Sequence, residues 1–146
     1  MLRPAFLVTA VLLCIVQAAR GVHAQGTAEL PGMFSCRFEI GHAWSYDAGK
    51  FQDKPPTPLA FEVTDIDLEG QSAKLATGGK PSGTLRIVRA LNANHFLEVA
   101  NEGFLNLTTI YDLDPATGVY PAVHSRHFGI FGQPVFAQYA GTCRAQ

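Results

Sequence analysis

Charge is scarce in this sequence: Lys and Arg number 11 and Asp and Glu 12, together 16% of 146 residues. Without a basic excess there is no electrostatic footprint for a phosphate backbone, which excludes nucleic acid as a partner class. Also missing is a long apolar stretch with a 3.6-residue period anywhere after residue 24. That excludes a helical bundle, and it leaves no further segment long enough to span a membrane, which takes about 20 apolar residues. Three cysteines are too few for a disulfide-dense miniprotein or a four-thiolate zinc motif. There are no internal repeats, no glycine-flanked serine of the nucleophile-elbow type and no oxygen-rich calcium loop.

What is present begins with an address. Met1-Leu2-Arg3 is a short basic start, an apolar run follows from Ala5 to Val16, and Val22-His23-Ala24 supplies small residues for a signal peptidase. Residues 1–24 therefore read as a removable secretory signal, and the remaining chain as an exported domain, periplasmic or secreted. All 12 acidic residues lie beyond residue 24, whereas Arg3 and Arg20 do not, so the mature chain carries 12 acidic against 9 basic residues, a net charge of about -3. Two cysteines remain after cleavage, Cys36 and Cys143, and an even pair in an exported chain reads as a disulfide.

Residues 25–33 contain Gly26, Pro31 and Gly32 without a period and read as a flexible lead-in to a single domain over residues 34–146. Phe34, Cys36, Phe38 and Ile40 alternate with polar residues, as a half-buried strand does, and Trp44 and Tyr46 continue it beyond Gly41. Residues 47–58, with Gly49, Pro55, Pro56 and Pro58, read as a loop. Leu59, Phe61 and Val63 share one parity and Ile66 and Leu68 the other, a phase change that predicts a bulge near Asp65. A strand over residues 73–77 and a loop over 78–83 follow. Three more strands occupy residues 84–91, 94–100 and 103–113, and Asp114-Pro115-Ala116-Thr117-Gly118 closes the last of them as a type I turn ending on a glycine bulge. Residues 119–126 return, 128–134 form an apolar glycine-hinged loop, and 134–143 form the final strand. Eight or nine strands joined by short turns make an all-β antiparallel meander. A bridge from the first strand to the last favours closure as an up-and-down β-barrel, the alternative being a β-sandwich.

The chemistry-bearing residues concentrate between Gly118 and Cys143. Strand alternation puts Tyr120, Ala122, His124 and Arg126 on one face and Ser125 and His127 on the other. A metal-assisted enzyme using His124 and His127 would need the chain to bend between them. The first face offers an aromatic ring, an imidazole and a guanidinium fork suited to an anionic group. Arg126 alternatively pairs with an acid such as Asp112 across the hairpin. In the loop, Phe128, Ile130 and Phe131 either fold in as a lid or stand out toward a partner. Asp65-Ile66-Asp67 and Asp112-Leu113-Asp114 present paired carboxylates, and Asn106-Leu107-Thr108 is a formal glycosylation sequon.

In size and in running from an early cysteine to a last-strand cysteine, the chain resembles small exported barrels such as bacterial lysozyme inhibitors and lipocalin-like binders. The resemblance is one of architecture, and it places no functional residue. The expectation is thus a non-enzymatic, cofactor-free barrel that binds a small apolar or amphipathic ligand, or an exported protein partner, through Tyr120, His124, Arg126, His127, Phe128 and Phe131. The alternative is an inhibitor of an enzyme in the same compartment, with the apolar loop as its wedge.

Overall fold

The computed structural model describes residues 30–100, 103–130 and 132–146, and over these the chain is built from nine antiparallel strands. In chain order they are β1 (Phe34–Asp47), β2 (Lys50–Lys54), β3 (Leu59–Asp67), β4 (Ser72–Thr77), β5 (Lys80–Arg89), β6 (Ala93–Ala100), β7 (Phe104–Tyr111), β8 (Tyr120–Ile130) and β9 (Gln133–Ala145). The sheet order is β2-β1-β3-β4-β5-β6-β7-β8-β9, and β1 also pairs with β9, so eight strands close into a barrel with β2 as an extra strand. The meander is the one expected from the turn spacing, and its closure as a barrel the one expected from a bridge between the first and last strands. No helix among the described residues is long and apolar enough to cross a membrane.

Closure runs along one seam. β1 and β9 are in register from Phe34↔Ala145 to Ser45↔Val135. Cys36 and Cys143 are directly opposed on it, with Cα atoms 4.0 Å apart, and they form the expected disulfide. Both cysteines are buried among the rings of Phe34, Phe38, Phe61 and Phe96, which fill the barrel interior with Val63, Leu85, Ile87 and Ile110. Each such side chain withdrawn from water contributes about 1.5–3 kcal/mol before the ordering cost.

The seam also carries a bulge that the sequence pattern hides. Phe38 pairs with Gly141 but Ile40 with Ala140, leaving Glu39 as an extra residue on β1. A Cβ on Gly141 would collide with the Arg37 carbonyl oxygen, and one on Gly41 with that of Gln138, so glycine is required on both strands for them to close here. The bulge inverts the strand: Phe34, Cys36 and Phe38 face inward, and beyond it Ala43 does. Ile40, expected on the core face, is therefore 72% exposed, and Trp44 and Tyr46 stand on the outer wall. The predicted bulge in β3 is present, with register slipping between Thr64 and Asp67 and Asp65 in the left-handed region. It returns Ile66 and Leu68 to the core.

Three predicted loops are shorter than expected. Within residues 47–58, Ala48-Gly49 forms a two-residue turn with both φ angles positive, the geometry that matches strand twist, and β2 folds back on β1. Gly78-Gly79 makes a second such turn, so β5 starts at Lys80. The loop expected over 128–134 is instead strand on both sides, since β8 runs to Ile130 and β9 begins at Gln133. The two ends of the barrel differ in chemistry. At one, Leu30, Ile66, Leu68 and Tyr120 pack against the core as an apolar stopper. The other, toward the β6–β7 and β8–β9 hairpins, carries the polar Glu98 and Asn106 beside the stacked rings of Phe104 and Phe128.

Candidate functional site

The β7–β8 hairpin decides which residues meet. Its turn follows the sequence expectation: Gly118 N and Ala116 N donate to the Asp114 carbonyl and carboxylate, at 2.8 and 2.9 Å, and Gly118 has φ 68°. The resulting register opposes Thr108 to His124, Asn106 to Arg126 and Leu105 to His127. The inward face of β8 carries Tyr120, Ala122, His124, Arg126 and Phe128, while Val123, Ser125 and His127 face outward, as alternation predicts. His124 and His127 thus lie on opposite sides of the wall and cannot share a ligand in this arrangement. Tyr120 is not brought to Arg126 either. Six residues away along β8, it packs edge-on against Phe34 in the apolar stopper, with ring centroids 4.9 Å apart. Arg126 faces Asn106 rather than Asp112, which lies beyond the Ile110↔Ala122 pair at the far end of the hairpin. Phe131 lies outside the described residues.

Inside the barrel, His124 is buried among Phe38, Phe61 and Tyr139, with ring centroids 5.6, 5.2 and 5.9 Å away, and Thr108 Oγ1 is hydrogen-bonded to its Nδ1 at 2.8 Å. Burial, assisted by the nearby Arg126 charge, pushes its pKa down to about 4, so the ring is neutral at pH 7. Between that value and the roughly 6.5 of the unfolded chain, the unfolded state takes up a proton that the folded state excludes. Stability therefore falls as pH drops from about 7 toward 4 and levels off below, by about 3 kcal/mol from this residue alone. Urea unfolding of the wild type and His124→Gln across this range checks it: the variant is expected to lose that part of the pH dependence, and parallel curves would count against a neutral buried imidazole.

Between His124 and the hairpins lies a polar layer. Asn106 Nδ2 donates to Glu98 Oε2 at 2.6 Å, while Asn106 Oδ1 is buried without a hydrogen-bond partner. The other Glu98 oxygen occupies the space that a side chain on Gly83 would take, so that glycine cradles the carboxylate. Half-buried Arg126 has no ion pair or side-chain hydrogen bond among the described residues. At the rim, Phe104 and Phe128 stack, with centroids 5.4 Å apart. Phe128 thus stands on the inward-facing parity of β8 beside Phe104. The sequence pattern singled out Arg126 and Phe128 but not Glu98, Asn106, Gly83 or Phe104. Alternation of Phe104, Asn106 and Thr108, combined with the register that the Asp114 turn imposes, is a signal that could place Phe104 and Asn106 on this face, and it carries nothing about Glu98 or Gly83. The Asn106 sequon is spent on this inner face, where a glycan has no room.

The outer wall is organised differently. His42, Trp44, Phe136 and His127 form a ladder of near-parallel rings across β1, β9 and β8, with successive centroids 5.7, 4.8 and 6.3 Å apart. Phe51 meets Phe136 and Tyr46 edge-on at its top. Beside the ladder, Ile40, Val123, Ser125, Gln138 and Ala140 line a groove of about 440 Å³. Three of the four candidate carboxylates are engaged locally. Asp65 meets Lys74 at 2.8 Å, Asp67 accepts the Glu69 and Gly70 amides at 3.0 and 2.8 Å, and Asp114 holds its turn. No group of three or more metal-ligating side chains forms among the described residues. Comparison with protein-family models, with curated proteins and with solved structures returned no match in any of the three.

Proposed function

We propose that this chain is an exported, non-enzymatic β-barrel that receives the anionic head of an amphipathic ligand at its hairpin end, in the periplasm or outside the cell. The Cys36–Cys143 bridge is compatible with such an oxidising compartment. The observation that carries the reading is Arg126, a lumen-facing guanidinium with no counter-ion among the described residues, opposite a buried and unpartnered Asn106 oxygen. A guanidinium fork matches a carboxylate or phosphate, and an unmet buried acceptor calls for a hydroxyl or N–H donor beside it. The stacked Phe104 and Phe128 rings supply an apolar contact for the rest of the molecule. The deeper interior is filled by aromatic side chains, so the apolar part lies along the rim rather than in a lumen.

N-lauroylglycine combines a carboxylate, an amide N–H and an apolar tail, and serves as the probe. Calorimetric titration is expected to give binding to the wild type and about tenfold weaker binding to Arg126→Gln, the worth of one charge-assisted contact at a partly solvated site. Equal affinity for the two proteins, or no binding to either, would count against this reading.

A further inference from the structure

At the hairpin end of the barrel, Arg126 is the last of three polar side chains set at one height. Glu98 on β6 pairs with Asn106 on β7, and Asn106 pairs with Arg126 on β8. All three share the inward parity of Phe96, Thr108 and His124, and all three are half-buried. Two strand spacings put the Glu98 and Arg126 Cα atoms about 10 Å apart, with the amide between them. Neither charge has an ion pair among the described residues. Asn106 Nδ2 donates to Glu98 Oε2 at 2.6 Å, which leaves Asn106 Oδ1 facing away from that carboxylate, buried and without a partner. Glu98 Oε1 lies over Gly83, where a Cβ would overlap it. Gly83 is not among the glycines with positive φ, so the backbone alone does not call for it. A glycine inside a strand weakens the strand and marks a close approach, and on β5 what approaches is a carboxylate.

We infer that the head group received here is a zwitterion, with an ammonium on Glu98 and Asn106 and a phosphate on Arg126. This rests on the anionic-head reading above and adds the second charge. A purely anionic head meets Arg126 but brings its charge toward Glu98, and it leaves that half-buried carboxylate uncompensated. An ammonium carries three donors, enough for Glu98 Oε1 and Asn106 Oδ1 together. The phosphate takes the guanidinium fork. Because Asn106 stands between the two protein charges, the ligand charges belong on separate groups joined by a short linker, as in phosphoethanolamine, rather than on one carbon as in an α-amino acid. One inward position nearer the rim, the stacked Phe104 and Phe128 meet the acyl chain.

Calorimetric titration with dodecanoyl lysophosphatidylethanolamine and dodecanoyl lysophosphatidylglycerol tests it, because the two share phosphate and tail and differ in ammonium against hydroxyls. The wild type is expected to bind the ethanolamine lipid about tenfold more tightly, the worth of one charged hydrogen bond at a partly solvated site. Glu98→Gln keeps an oxygen for Asn106 Nδ2 and should erase that preference without weakening the glycerol lipid. Gly83→Ala, whose methyl displaces the carboxylate, should do the same. Equal wild-type affinities for the two lipids, both reduced by Arg126→Gln, would overturn the zwitterion and leave the anionic-head reading standing. A preference that survives Glu98→Gln would also overturn it, and binding of neither lipid would overturn both readings. Glycerophosphoethanolamine, the same head without the tail, tells a lipid from a free solute. Binding at least about tenfold weaker than the lipid's assigns a lipid, and equal binding keeps the zwitterion and removes the tail from the proposed ligand.

Discussion

Reduction of the Cys36–Cys143 bridge is expected to lower the thermal midpoint by roughly 15–25 °C, corresponding to about 4–5 kcal/mol. The bridge closes a loop of 107 residues, so its absence returns a large conformational freedom to the unfolded chain. It also crosses the one seam at which the first barrel strand meets the last. The double variant Cys36→Ala/Cys143→Ala separates this from any effect of the reductant, and alanine leaves no buried hydroxyl in sites that are at most 1% exposed. Scanning calorimetry of the oxidised, reduced and double-variant proteins should give two low midpoints and one high one. Equal midpoints for all three would overturn the assigned pairing.

Phe38→Ala should cost about 3–5 kcal/mol, the range for truncating a fully buried aromatic side chain. Phe38 is 0% exposed, and its ring stacks on Phe61 at 5.4 Å and lies 5.6 Å from His124. Its removal therefore does more than open a cavity. Water admitted beside His124 lowers the cost of charging the imidazole, so its pKa moves from about 4 back toward the ordinary value of about 6.5. Denaturant unfolding reads the first effect and an NMR titration of the His124 ring the second. A loss of under about 1 kcal/mol would mean that Phe38 is not part of the packed interior.

The architecture was readable from the sequence because each of its devices leaves a local trace. Alternation marks the strands, the phase change from Val63 to Ile66 marks a bulge, and the Asp114 to Gly118 turn announces both its type and its glycine. The bulge at Glu39 left no such trace. Ile40 continues the apolar parity of Phe38, and the slip exists only because Gly141, about 100 residues away, lets β9 approach at that point. Short strands following tight turns were likewise lost among residues that usually mark loops: Lys50 to Lys54 sits between a glycine and three prolines, yet forms β2.

The candidate site was half legible. Parity correctly separated His124 and Arg126 from His127, but parity says nothing about height along a strand, so Tyr120 was grouped with residues at the other end of the barrel. Glu98, Asn106 and Gly83 come together from three strands, and no spacing in the chain encodes that convergence.

The seam has a consequence for the order in which the protein is made. Every strand from β4 to β9 pairs with the strand preceding it and β3 pairs with β1, but barrel closure makes the other edge of β1 wait for β9, with Cys36 emerging 107 residues before Cys143. Over that interval β1 offers an unpaired edge and the apolar side chains of Phe34 and Phe38 to anything nearby, the combination most prone to wrong pairing. Barrel closure is thus a non-local event that slows folding, and oxidation of the two thiols records its completion.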